Sequence, residues 1–258
     1  MRLYGIKTGI IKMNDNLTDV ILEALNKQGL QVEDNDILAL ASKIITYADG
    51  CLKKLKDVKP SGKAVEFAEK FSISPEFAEL ILCEAEEIYG GVEKAVLTLK
   101  NHVLTANAGI DKKNAPMGEA ALWPRNPEKW AELIRKRVKE RTGRNVGILI
   151  VDSRVTPLRI GTTGLALAVA GFKPVKDFRG EKDIFGKKLL ITYHAVADDL
   201  ASAAHLLMGE AAEKTPVVLI KGAPVDFDDK VYSSADMAMP FNNCLFMGSL
   251  NVKNFNNV

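Results

Sequence analysis

Cysteine is scarce in this chain, and its three copies, Cys51, Cys83 and Cys244, lie far apart with no C-x-x-C pair. An odd, scattered set argues against a disulfide framework and suits unpaired thiols in a reducing cytoplasm. Long apolar runs are missing too, since nothing approaches the roughly 18 residues that cross a bilayer. The opening Met1-Arg-Leu-Tyr-Gly-Ile-Lys7 has neither a long apolar stretch nor a small-residue cleavage site, so it does not resemble a signal peptide. An excess of one charge is also absent: the formal net charge is +2. The basic run Arg135-Lys-Arg-Val-Lys139 is interleaved, in a helical pattern, with Glu132 and Glu140. It reads as a solvated helix face rather than a nucleic-acid surface. The expectation is a soluble cytoplasmic protein that binds neither nucleic acid nor membrane.

Familiar motifs are missing as well. There is no G-x-x-x-x-G-K-[ST] loop and no G-x-G-x-x-G after a strand, so neither a P-loop nor a dinucleotide-binding fold is supported. No G-x-S-x-G elbow occurs. The three histidines, His102, His194 and His205, stand alone, without H-E-x-x-H or clustered cysteines, which argues against zinc. Each reads as structural, His205 as packed on, or flanking, an Ala-rich helix.

What is present is an ordinary globular balance, 47% hydrophobic and 26% charged over 258 residues. That length allows one large domain or two interlocked ones with a substantial core. The chain reads as a unit over 1–248, followed by a polar, Asn-rich tail over 249–258. Residues 1–11 read as a β segment. Asn16 caps a helix with Leu17, Val20, Ile21 and Leu25 on one face, which Gly29 stops. Asp36–Ala41 is a strand-length apolar run that continues through Ser42-Lys43 into Ile44-Ile45-Thr46-Tyr47. Ser61 and Ser74-Pro75 start helices, and Asn126-Pro127 starts another that ends at Gly143. Val96–Ala106, Val146–Val151, Lys188–Val196 and Val217–Ile220 read as strands, and an Ala-rich helix runs from about Asp198 to Met208. Helices and strands mix without a strict βαβ rhythm, so the fold class is α+β.

Three carboxylates sit where an apolar segment gives way to a small-residue turn: Asp111 in Asn107-Ala-Gly-Ile-Asp111, Asp152 beside Ser153, and Glu210 in Leu207-Met-Gly-Glu210. With a hydroxyl they are hard ligands suited to Mg²⁺ or Mn²⁺, ions that bridge carboxylates to phosphate. Each also has a plainer reading, as a turn, cap or loop residue. Composition and spacing do not show that the three converge.

Several short motifs, in order over roughly residues 8 to 222, resemble the γ-glutamyl ligases that add glutamate to the deazaflavin coenzyme F-420 precursor. They are Asp36-Ile-Leu-Ala-Leu-Ala-Ser42-Lys43, Asn107–Asp111 with Asn114, and Gly147-Ile-Leu-Ile-Val-Asp152-Ser153. Arg159-Ile-Gly161-Thr-Thr-Gly164, Lys176–Lys187 and Val196–Glu210 follow. The resemblance implies GTP-dependent ligation of L-glutamate, two divalent cations (Mg²⁺ or Mn²⁺) with K⁺ as an optional addition, an unusual α+β fold and an intertwined homodimer. It assigns Asp111 and Asp152 to one metal, and Ser153 and Glu210 to the second. Asn114, Ser42, Lys43, the turn Thr8-Gly9-Ile10-Ile11, and the loop through Met208, Gly209, Ala211 and Ala212 to Thr215 match nucleotide-contacting positions. Asp111, Asp152 and Arg159 are the implied catalytic set, Arg159 or Lys43 adding charge near the phosphates.

The chain departs from the family's pattern at four points. Tyr47 stands where the family has a lysine, and Val155-Thr156 replace a Gly-Arg pair. The Gly209–Pro216 loop has fewer glycines, and Thr8–Ile11 replaces a Leu-Pro-type turn. These changes leave open a folate-like or peptide-like carboxylate acceptor, and a non-catalytic nucleotide- or metabolite-binding relative.

Overall fold

Ile37–Ala41 and the first half of Gly147–Val155 carry no polar side chain, the pattern of strands covered on both faces. In the computed structural model, which describes residues 1–13 and 15–249, they form the middle of a six-stranded sheet. Its order is Arg2–Ile6, Val217–Lys221, Ile37–Ala41, Gly147–Val155, Thr162–Phe172 and Phe227–Ser233. The central pair is parallel, with Ala41 opposite Val151, and the other neighbours are antiparallel.

Alternation along the strands sends Leu38, Leu40, Ile148 and Ile150 to one face, against helices Leu17–Lys27 and Pro127–Thr142. Ile37, Ala39, Leu149 and Val151 face the other way, against helix Val196–Met208. Burying each such Leu or Ile contributes about 1.5–3 kcal/mol. This sandwich is the rigid frame on which the site is built.

Helices begin where the sequence supplies caps. The side chains of Asn16, Ser61 and Ser74 accept the N–H of Asp19, Ala64 and Phe77, and Pro75 and Pro127 open the first turns of their helices. Between helix Ser42–Ala48 and helix Pro127–Thr142 the chain builds a second body. It holds helices Gly62–Phe71 and Pro75–Glu84, a meander of Glu87–Val92, Ala95–Lys100 and Val103–Ala106, and a ribbon of Leu52–Lys54 with Glu119–Ala121. Its apolar side chains form clusters of their own, Phe77 and Ile81 with Ile110, and Phe71 and Ile88 with Val96. The whole is α+β, as expected.

Five elements differ from expectation. The opening β segment is a strand only over Arg2–Ile6, and residues 7–11 form no strand. Ile44–Tyr47 continues no strand; it lies in helix Ser42–Ala48, where Ile44, Ile45 and Thr46 are all buried, so packing overrides β propensity. Val96–Ala106 is two strands, folded at Asn101 and His102, which both take positive φ. The strand after Val146 runs on through Asp152 to Val155. Lys188–Val196 forms only the two-residue strand Tyr193–His194, paired with Lys176–Asp177, before the helix starts at Val196. Its apolar residues Leu190 and Ile191 find no core and are 76% and 86% exposed. Residues 250–258 of the Asn-rich tail lie outside the described residues, as does Asn14.

Candidate active site

The parallel register sets Ser42 and Asp152, the residues after Ala41 and Val151, side by side, and Ser42 Oγ donates to Asp152 Oδ2 at 2.7 Å. The carboxyl ends of such strands are where open sheets bind ligands. Asp152 Oδ1 accepts the Ser153 N–H at 2.7 Å. Burial pushes the Asp152 carboxyl above its ordinary range; the Ser42 and Ser153 hydrogen bonds and the Lys43 charge act against the rise, while Asp111 adds to it.

Asp111 arrives from the second body on a turn of unusual backbone. Asn107, Ala108 and Gly109 have φ of 54°, 54° and 71° in succession. A Cβ on Gly109 would lie 1.7 Å from Trp123 Cε3, so only glycine fits there. Asn107 Oδ1 accepts the Val96 N–H at 2.9 Å and Thr98 Oγ1 accepts the Ala108 N–H at 2.8 Å, which fixes the turn. Asp111 then exchanges two backbone hydrogen bonds with Ala121, at 3.0 and 2.8 Å. Its Oδ2 is paired with Lys43 Nζ, which also donates to the Lys113 carbonyl at 3.2 Å.

Glu210 comes from the opposite wall. Helix Val196–Met208 stops at Gly209, whose φ of 73° turns the chain back. Glu210 Oε1 accepts from Thr162 Oγ1 at 2.5 Å and is 2.8 Å from His205 Nε2. Burial alone would raise this carboxyl. The Thr162 and His205 hydrogen bonds, with the charges of His205 and Lys113, outweigh that and hold it below the ordinary value. A bridge crosses the cleft: the Tyr47 hydroxyl donates to the Asn114 carbonyl, and Asn114 Nδ2 donates to the Ala211 carbonyl at 3.0 Å. The Ala211 N–H is taken by Glu213 Oε2 at 2.8 Å.

These groups surround one cleft of about 410 Å³. Every residue named for the site from the sequence lines it except Thr8 and Arg159. The Thr8 hydroxyl donates to the Gly9 carbonyl at 3.2 Å, one residue from the wall. Arg159 is exposed in the loop 156–161, and Arg154 pairs with Asp198 at 3.3 Å. Sequence reasoning missed Lys113, which lines the cleft, as do Glu213 and Lys214 of the loop implied to touch nucleotide, and it read His205 as structural, whereas His205 lines the cleft too. The available signal was its spacing, five residues before Glu210 and so in the last turn of the same helix.

Among the described residues, no three Asp, Glu, His or Cys side chains form a metal-ligand cluster. Asp111, Asp152 and Glu210 instead hold Lys43, Ser42, and Thr162 with His205. Their donor chemistry still fits a hard divalent cation. The donors are oxygens, Asp111 makes the half-buried Asp152 harder to ionise, and the Lys43 charge answers both carboxylates.

Residues 5–222 match the family model described as F420-0:Gamma-glutamyl ligase. The chain is 41% identical over 219 residues to the Coenzyme F420:L-glutamate ligase of Methanosarcina mazei, an alignment covering 84% of this chain and 83% of the relative. It is 39% identical over 216 residues to that of Methanothermobacter thermautotrophicus, covering 83% and 86%. With that of Methanocaldococcus jannaschii the figures are 37% over 230 residues, covering 88% and 90%.

Proposed function

The chain belongs to the F420-0:gamma-glutamyl ligase family, and from that membership we propose that it is a GTP- and divalent-metal-dependent amide ligase adding L-glutamate to the coenzyme F-420 precursor. One observation carries the reading: Asp111, Asp152 with Ser153, and Glu210, from distant parts of the chain, face a single cleft together with Ser42, Lys43 and Asn114. Asp111 and Asp152 would hold one cation, Ser153 and Glu210 the second. Bound there, such cations offset the negative charge of the β- and γ-phosphates, which is most of what phosphoryl transfer asks of a protein.

The reaction has two halves. An acceptor carboxylate oxygen attacks the γ-phosphorus, forming an O–P bond as the β–γ bridge breaks and GDP leaves. The glutamate amine then attacks the acyl phosphate carbon, a C–N bond forms, inorganic phosphate departs with the bonding pair, and the amine releases a proton. Lys43 contributes a point charge at the phosphates once it leaves Asp111. The Asn114 bridge closes over the nucleotide and limits access of water to the acyl phosphate.

A homodimer belongs to the same reading. Ile184, Phe185, Leu190 and Ile191 are 92%, 88%, 76% and 86% exposed on the arm between Phe172 and helix Val196–Met208, an apolar surface that a second copy would cover. Among the described residues no helix is long and apolar enough to cross a membrane. The thiols of Cys51, Cys83 and Cys244 are unpaired, which suits a reducing cytoplasm.

The test is incubation with Mn²⁺ or Mg²⁺, GTP, glutamate and the deazaflavin precursor, followed by product mass and GDP release. A gain of one glutamyl unit coupled to GDP supports the reading. GDP release without that product points to another carboxylate acceptor, and no turnover with nucleotide still bound marks a binding-only relative.

A further inference from the structure

Helix Val196–Met208 buries Ala197, Leu200, Ala201, Ala204 and Met208 against the sheet, the i, i+3, i+4, i+7 stripe of a surface helix. His205 lies off that stripe. Its neighbours Leu206 and Leu207 are 82% and 39% exposed, yet the His205 side chain is only 16% exposed. It is covered because it turns into the cleft under Glu210, which the reversal at Gly209 folds back over it. His205 Nε2 is 2.8 Å from Glu210 Oε1, and Thr162 Oγ1 donates to that same oxygen at 2.5 Å. Thr162 comes from a sheet strand and His205 from the helix, so two rigid elements grip one carboxylate oxygen. The other oxygen, Oε2, has Lys113 Nζ at 4.0 Å.

We propose that His205 is a positioning residue: with Thr162 it locks Glu210 through Oε1, so that Oε2 alone is presented to a divalent cation in the cleft. This rests on the reading of Glu210 as a metal-holding residue. A carboxylate gripped on one oxygen loses rotational freedom and would offer its other oxygen to a cation. Partners of ligating groups act in this way, and removing one typically costs about 10–100-fold in metal affinity or activity.

The test measures Mn²⁺ binding to the purified full chain without nucleotide, from the loss of the free-ion electron paramagnetic resonance signal, for wild type, His205→Ala and His205→Gln. Glutamine keeps an N–H donor at similar reach. We expect His205→Ala to weaken Mn²⁺ binding by about 10–100-fold with an unchanged melting temperature in EDTA, and His205→Gln to recover most of the loss. In turnover, the alanine variant raises the KM for metal more than it lowers kcat. Wild-type affinity in His205→Ala overturns the proposal, and so does a glutamine variant as impaired as the alanine one. Weak binding by Asp152→Asn alongside unaffected His205→Ala removes the role of His205 and leaves the metal reading standing. No Mn²⁺ binding by wild type overturns both.

Discussion

Replacing Gly164 with alanine asks how far the helix that carries His205 depends on direct backbone contact with the sheet. Gly164 lies in strand Thr162–Phe172, opposite Ser153. A Cβ there would stand 2.2 Å from the Ala201 oxygen, 2.3 Å from its carbonyl carbon and 2.6 Å from the Ser202 nitrogen. All three are backbone atoms, so no side-chain rotation relieves the clash. The gap between 2.2 Å and an ordinary 3.4 Å contact is about 1.2 Å, and the helix must move away by that order. Overpacking of this kind costs about 1–3 kcal/mol. For a chain of this size each kcal/mol lowers Tm by roughly 2–4 °C, so the expected fall is about 2–12 °C. Activity suffers more. Glu210 follows the helix by two residues, and misplacing a reacting constellation by about 1 Å can cost about a hundredfold. Calorimetry beside GDP release, assayed well below both melting points, separates the two effects. An unchanged Tm with unchanged turnover would refute the reasoning.

Asp152→Asn should abolish ligation while the metal-free protein melts no lower than wild type. Burial raises the Asp152 carboxyl in the folded state, so the folded chain binds more protons than the unfolded one between the two pKa values. Stability from this group is therefore present below the ordinary carboxylate range and lost as pH rises through the folded value. Tm against pH without metal should fall more steeply through that window in wild type than in the variant, and coincident curves would count against the buried charge. Tyr47→Phe removes the hydroxyl that bridges to the Asn114 carbonyl. One lost hydrogen bond of about 1 kcal/mol predicts a KM for GTP about fivefold higher with kcat little changed, and an unaltered KM would show that the bridge does not help hold nucleotide.

Local signals in the sequence were readable where the physics is local. Asn16, Ser61 and Ser74 mark helix starts because capping needs only neighbouring residues, and Pro127 marks another through its fixed first-turn backbone, although Asn126 makes no capping hydrogen bond. The carboxylates of the cleft were found as types, and the motif order made their convergence an expectation. The hairpin at Asn101-His102 was missed although both residue types tolerate positive φ. Ile44–Tyr47 was misread because its β-branched side chains are buried by partners distant in sequence, Thr46 donating to the Leu122 carbonyl at 2.9 Å. His205 was underrated for the same reason, since its meaning lies in Thr162, far away along the chain.

The outermost pairing of the sheet joins Arg2 to Lys221, a separation of 219 residues. Translation at about 5–20 residues per second therefore makes the N-terminal strand wait roughly 10–40 s before its partner exists. The turn Gly9–Ile11, which lines the cleft, follows directly on that strand. A nascent chain thus carries Ser42, Asp111 and Asp152 well before the Gly9–Ile11 wall of the cleft is anchored by strand pairing. The cleft is completed only once Val217–Lys221 has been made and has paired with the N-terminal strand.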